Sequence, residues 1–443
     1  MTPDVDAALT AEDGRLEAKG RLGLAGMSHF VGTVTLDHPE AARLAALVAP
    51  LYHPAGGTLG AVVFSTSIDA TPGRVALDHL ALAIGDQSVD GSATLDRTAQ
   101  PPRLAADLAA GDLRIDPFLP AHEVALADGP VRYAALGDPG PLPGRWSRAK
   151  LDFSWLGLLD ATVKLTADSA TLGLWHLDKP ALTAGLKGGA LGLDALSGGL
   201  FGGKIDAHGS LTQAPALALT LSGQGLDLKD LAQRLGVGAL TGGTGSLDTD
   251  LTATGVSEAD MIATLGGTAK LAARDGVAAG FDLAAINEKL TTLKGPQDLV
   301  GVLQAAQAGG STRFSALDGT ATIANGVIRS TDLHLVADGG DLTGTVTADL
   351  PAWTIDGKAA LALAGRTDLP PLAMSFDGPL DRPEKRIDVK TLAAYVERQG
   401  VGNLLQGLTG QQPAAPASPS QQQQKPAQQL RDLFKGLLSK PNP

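Results

Sequence analysis

The sequence predicts a mainly β protein: a long curved antiparallel sheet forming an elongated groove, with a few short connecting helices. Three features predict it. Apolar residues recur at every second position, glycine-rich turn signals separate the alternating runs, and large aromatic side chains are scarce.

The alternation is plain in Thr162-Val163-Lys164-Leu165-Thr166-Ala167-Asp168, where Val163 and Leu165 share one side and polar groups the other. Successive strand side chains point to opposite faces, so such a run is a half-buried strand. Leu217-Ala218-Leu219-Thr220-Leu221 and Leu342-Thr343-Gly344-Thr345-Val346 repeat the scheme, as does the segment 247–253. An aspartate at Leu219 should therefore disturb the protein, while one at Thr220 should be nearly silent.

Turns are read at Asn325-Gly326, Asp275-Gly276, Gly339-Gly340-Asp341, Asp356-Gly357 and Asp377-Gly378-Pro379. Asn-Gly and Asp-Gly accept the positive φ of two-residue hairpin loops. Glycine totals 56 in 443 residues, well above the usual ~7%. The aromatic set is small, with 9 Phe, 4 Trp and 3 Tyr. Bulky rings normally fill thick cores, so their scarcity favours thin layers lined by Leu, Val and Ala.

Short helices are expected at 39–48 and 228–235, and after an N-cap at Ser257, with a pair at 282–293 and 297–308. Another is expected at 391–399. The Pro-, Ala- and Gln-rich stretch 411–428 reads as a linker, since it buries too little apolar surface to offset ordering. Beyond it Leu430, Leu433, Phe434 and Leu437 fall at helical spacing, a candidate surface for a partner or a membrane.

The net charge of −12, with both signs interspersed, excludes wrapping nucleic acid. Cysteine is absent, so no disulfide or thiolate metal site exists. Residues 1–20 carry five acidic groups and are no signal peptide; Arg15 to Lys19 already alternate like a strand, as though the chain began inside a repeat.

No catalytic constellation appears. HExxH, GxSxG and a helix-opening GxGxxG are missing, and the eight histidines are scattered singly. Gly198 to Lys204 has the glycine and lysine spacing of a phosphate loop, but Ile205 stands where magnesium needs a hydroxyl. The following alternation is that of a strand, so this is a hairpin. Asp248 and Asp250 share the polar side of one strand, where solvation explains them. The expectation is a non-enzyme without cofactor or metal.

Several phrases resemble the AsmA family of bacterial envelope proteins. They are Trp146-Ser147 with Leu151-Asp152-Phe153-Ser154-Trp155-Leu156, then Leu200-Phe201-Gly202-Gly203-Lys204-Ile205 and Leu265-Gly266-Gly267-Thr268. The run Phe314-Ser315-Ala316-Leu317-Asp318-Gly319-Thr320 through Asn325-Gly326-Val327 is the most similar, and Phe376-Asp377-Gly378-Pro379 resembles the closing strand. The order of these motifs, over roughly 15–400, carries the resemblance.

It implies a periplasmic body, an inner-membrane anchor upstream, and a β-groove like that of bridge-like lipid-transfer proteins. It also implies a part in outer-membrane lipid transport or assembly. The expected organisation is groove repeats over 1–145, an AsmA-like region over 146–389, a helical end over 390–410, the linker 411–428 and an amphipathic helix over 429–443. Val163, Leu165, Leu217, Leu219, Leu221, Leu342 and Val346 are the candidates to line the groove, with phospholipid or another acyl lipid as cargo. The competing expectation is a structural β-solenoid or adhesin-like envelope protein without cargo.

Overall fold

Alternation of this kind builds one sheet here. The computed structural model describes residues 3–11, 13–23, 28–48, 54, 58–118, 146–151, 153–234, 240–279, 282–291, 309–365 and 370–387. All of them lie in a single unit, Met1–Ala393. The expected helices at 297–308 and 391–399, the linker 411–428, and Leu430, Leu433, Phe434 and Leu437 lie outside the described residues.

A first run comprises β1 (Asp4–Ala11), β2 (Gly14–Gly23), β3 (His29–His38), β4 (Val62–Ala70), β5 (Arg74–Ile84), β6 (Gln87–Asp96) and β7 (Arg103–Arg114). A second comprises β8 (Asp160–Leu172), β9 (Trp175–Lys187), β10 (Ala190–Leu200), β11 (Gly203–Thr212), β12 (Ala216–Asp227) and β13 (Leu240–Thr254). It continues through β14 (Gly266–Ala279), β15 (Ser311–Ala324), β16 (Val327–Ala337) and β17 (Gly340–Asp349). It ends with β18 (Thr354–Leu363), β19 (Leu372–Pro379) and β20 (Glu384–Ile387). Among the described residues four short α-helices connect them: α1 (Ala41–Val48), α2 (Leu228–Arg234), α3 (Glu258–Thr264) and α4 (Leu283–Thr291).

The 20 strands form one open sheet. Each strand pairs with its neighbours in sequence, so the sheet is a meander and not a stacked coil. At about 4.8 Å per strand its path from edge to edge is ~90 Å. Sheets with so many strands curl under their own right-handed twist.

One joint departs from the expected antiparallel pattern: β7 and β8 run parallel, from Arg103↔Asp160 to Arg114↔Thr171. A parallel neighbour requires a long crossover, and 45 residues separate Arg114 from Asp160. The sheet runs through this joint unbroken.

Three of the expected turns are corrected. Asp275-Gly276 lies inside β14, Asp356-Gly357 inside β18, and Asp377-Gly378-Pro379 at the end of β19, ahead of the reversal at 380–383. Gly276 and Gly357 each face a phenylalanine of the next strand, Phe314 and Phe376 respectively. A Cβ at Gly276 would sit 2.0 Å from Phe314 Cζ, and one at Gly357 2.1 Å from Phe376 Cζ. These glycines make room for a ring across the pair; they do not reverse the chain. Asn325-Gly326 and the Gly339 turn are hairpin loops as expected, and Phe201-Gly202 closes β10 onto β11.

Helix α3 is held by its N-cap, with Ser257 Oγ accepting from the Asp260 amide at 3.1 Å. Helix α2 lies against β12 and β13. Its Leu228 joins Ala273, Phe314 and Leu335 in a buried cluster, flanked by Leu231, Leu317 and Leu342. A second cluster holds Leu200, Ile205 and Leu226, with Leu177, Phe201 and Leu221 against it.

Candidate functional site

Directly paired residues on adjacent strands point to the same face of a sheet, so the register shows what each face carries. One row can be followed from β1 to β19 without a polar side chain. In the first run it passes from Val5 through Gly20, Gly32, Ile68, Leu77 and Ala93 to Ala106. The parallel joint hands it to Val163, and it continues through Ala184, Leu193, Gly209 and Leu219 to Leu251. From there it crosses Gly267, Ile323, Ile328, Ala348 and Ile355 and ends at Gly378.

Further apolar rows flank it. Leu22, Phe30, Ala70, Val75, Leu95 and Leu104 are paired in turn, and Ala161, Leu186, Leu191, Leu211, Leu217 and Ala253 carry that row to β13. Toward the other strand ends, Leu226, Gly245, Ala273, Leu317, Leu335, Leu342, Leu361 and Leu372 follow one another across β12–β19.

The opposite face reads as its negative. From β11 to β20 it carries His208, Thr220, Asp250, Thr268 and Thr322, then Arg329, Thr347, Asp356, Asp377 and Glu384. Strand residues that alternate in sequence thus sort into two continuous surfaces.

All seven residues singled out from the sequence stand on the apolar face. Val163 and Leu219 belong to the central row, and Leu217 to the flanking one. Leu165 and Leu221 share a row with Leu182, Leu196 and Ala207. Leu342 and Val346 lie two pairs apart on β17. Each of the seven is half-buried, whereas Lys164 and Thr166 on the other side are exposed. A face that is mostly apolar and, at these positions, half-buried can shield apolar material from water.

Covering elements gather at the strand ends. Helices α2 and α4 lie where β12, β14, β16 and β18 finish. Residues 146–151 and 153–157 cross the other ends. Trp146 Nε1 donates to the Leu350 carbonyl at 2.9 Å, and its ring meets Trp353 edge-on with centroids 5.7 Å apart. The Ser147 amide donates to Glu258 Oε2 at 2.9 Å, the Leu151 amide donates to the Val256 carbonyl, and Leu156 is fully buried. Trp146, Ser147, Leu151 and Leu156 of the sequence motifs therefore belong to a strap over strand ends, a placement that local alternation does not disclose.

Charge keeps to the polar face and the turns. Arg15, then Lys19, hold the Glu17 carboxyl below its usual range. The Arg114 guanidinium does the same for Asp86. The Thr320 hydroxyl, followed by the Thr320 amide, lowers Asp332. Thr320 N and Oγ1 donate to Asp332 at 2.9 and 2.7 Å, fixing a bulge where β15 and β16 lose register. The sequence showed no signal for this bulge. Thr220 Oγ1 donates to Asp250 Oδ1 at 2.6 Å, so the expectation that aspartate at Thr220 is silent is corrected: the two carboxylates would face each other.

A model of the AsmA family matches residues 80–333, more than half of the chain, from within β5 to within β16. No curated protein and no solved structure matches.

Proposed function

The chain belongs to the AsmA family, and we propose that it is a non-catalytic envelope protein whose apolar face holds lipid acyl chains. It would act in outer-membrane lipid transport or assembly, as a periplasmic body. The observation that carries this reading is the central row from Val5 to Gly378, unbroken by any polar side chain. An ordinary half-buried sheet needs apolar residues only where something covers it. Here they continue from Val5 to Gly267 at positions that are only half-buried, while Ile323 and Ala348 further along the row are buried.

The mechanism is passive. Acyl chains would lie along the row while headgroups stay in water. Each methylene withdrawn from water contributes about 0.8 kcal/mol, so two C16 tails gain on the order of 20 kcal/mol before ordering costs. Half of a ~30 Å hydrocarbon core, ~15 Å, is roughly one tail. A tail would then span about three strand spacings of ~4.8 Å, and several could follow one another along the sheet. No single side chain is needed for this, which fits a face built from Leu, Val, Ala and Gly.

Native mass spectrometry of the purified full chain provides the test. Co-purified phospholipid or another diacyl lipid is expected. Protein that carries none and also takes up none from detergent-solubilised lipid would leave the structural reading, a sheet without cargo, in its place.

A further inference from the structure

The hairpin between β8 and β9 has an unusual tip. Hairpin loops are normally polar or glycine-rich, as at Asn325-Gly326 and Asp338-Gly339. This one reads Leu172-Gly173-Leu174-Trp175, and its large side chains are in solvent: Leu174 is 57% exposed, Trp175 43% and Leu172 42%. The neighbouring tip, between β10 and β11, adds Phe201, whose ring lies 5.9 Å from that of Trp175.

Two backbone groups of the tip are already paired within the protein. The Gly173 amide donates to both Asp116 carboxylate oxygens at 2.9 Å, and Arg234 Nη1 donates to the Leu174 carbonyl at 2.9 Å. Those two groups would lose no hydrogen bond on leaving water. Directly behind it stand the polar His176 and Asp178. Apolar side chains and a tryptophan at the apex, with Asp116 and Arg234 bonded to its backbone and His176 and Asp178 behind it, give the mixture of apolar, aromatic and ionisable groups found at a membrane interface.

The tip also leads inward. Phe201 packs on the cluster of Leu200, Ile205 and Leu226, which Leu221 of the apolar face joins. We propose that these two hairpin tips dock into a lipid surface, and that the path from Trp175 through Phe201 to Leu221 joins that surface to the apolar face. The second half of this statement rests on the acyl-chain reading above; the docking does not. A protein partner fits less well, because a stable protein interface buries about 800 Å² per partner. A few side chains suffice to seat a hairpin in a bilayer.

Flotation of the full chain with phosphatidylcholine vesicles tests the proposal. Neutral lipid is chosen because the chain is net negative. The wild type is expected to float. Leu174→Asp should lower the floated fraction about tenfold, with co-purified lipid and circular dichroism unchanged. Trp175→Ser, the milder change, should lower it less, and it decides the matter if Leu174→Asp misfolds. Wild type that stays at the bottom, or variants that float as well as it does, would overturn the docking. So would crosslinks from position 174 to a protein in place of flotation. Tip-dependent flotation of a protein that carries no acyl lipid would retain the docking and reject the cargo reading.

Discussion

The first seven strands and the strands β12–β19 obey the same alternation and differ in what covers them. Across β1–β7, rows such as Leu9, Leu16, Leu36 and Phe64 are as apolar as any in the molecule. Yet Leu9 is 63% exposed, and Val62 is the one hydrophobic strand residue there that is buried. Across β12–β19 the row from Leu226 to Leu372 contains buried Leu226, Ala273, Leu335, Leu361 and Leu372. Over Ala273 and Leu335 the cover is α2, whose Leu228 and Leu231 pack on that part of the row. Alternation decides which face a side chain joins. Elements added at the strand ends decide how dry that face becomes.

The largest expected effect separates the two regions by stability. Phe314 is 3% exposed, over Gly276 and beside Leu228. Phe314→Ala should cost about 3–5 kcal/mol. Phe64, half-buried in the first run, should cost only about 1 kcal/mol when cut to alanine, since less of it leaves water. Urea midpoints of the two variants measure both. Equal losses would mean that the first run is as dry as the second.

A second test asks whether the two regions form one conduit. Leu219→Asp and Ile68→Asp each place a carboxylate on the central row, one in each region. Both positions are half-buried, so the carboxylate keeps some water and the fold should survive. An acyl chain passing it would meet an ion it cannot hydrate. Lipid transfer between vesicles should fall at least about tenfold in either variant, while lipid bound elsewhere along the sheet is retained. If only Leu219→Asp slows transfer, the first run is not part of the path.

On the polar face, Thr220→Asp should destabilise by about 0.5–1 kcal/mol, because it sets a carboxylate opposite Asp250 and removes a 2.6 Å hydrogen bond. The repulsive part of the loss should shrink as salt screens the two carboxylates. A thermal shift series over ionic strength checks it, and a salt-independent loss would implicate packing.

Much of this was legible in the sequence. A period of two places Val163, Leu165, Leu217, Leu219, Leu221, Leu342 and Val346 on one face, since local parity suffices. The N-cap Ser257 and the Asn325-Gly326 loop were equally local. What escaped is not local. Gly276 and Gly357 resemble turn glycines until their partners Phe314 and Phe376 are known, and those pairs span different strands. The parallel joint of β7 and β8 depends on a crossover that no alternation records. Asp332 looks like any surface aspartate, though it fixes a bulge through Thr320.

The smallest effect distinguishes two ways of holding a carboxylate. Asp86, in the first run, is lowered chiefly by the Arg114 guanidinium, whereas Asp332, in the second, is lowered chiefly by the Thr320 hydroxyl and amide. Both groups have folded pKa values below the unfolded value of about 3.9. Each therefore contributes stability that is fully present at neutral pH and is lost as pH falls below about 4 through the folded value. Salt should tell them apart. The Debye length shrinks from ~10 Å at 0.1 M to ~3 Å at 1 M, which weakens an exposed ion pair. Neutral hydrogen bonds to a carboxylate carry no such dependence. Carboxyl carbon titrations by NMR at the two ionic strengths should show Asp86 moving up toward the ordinary value in high salt while Asp332 stays low. Movement of Asp332 together with Asp86 would mean that nearby charge, and not Thr320, sets its acidity and holds the bulge.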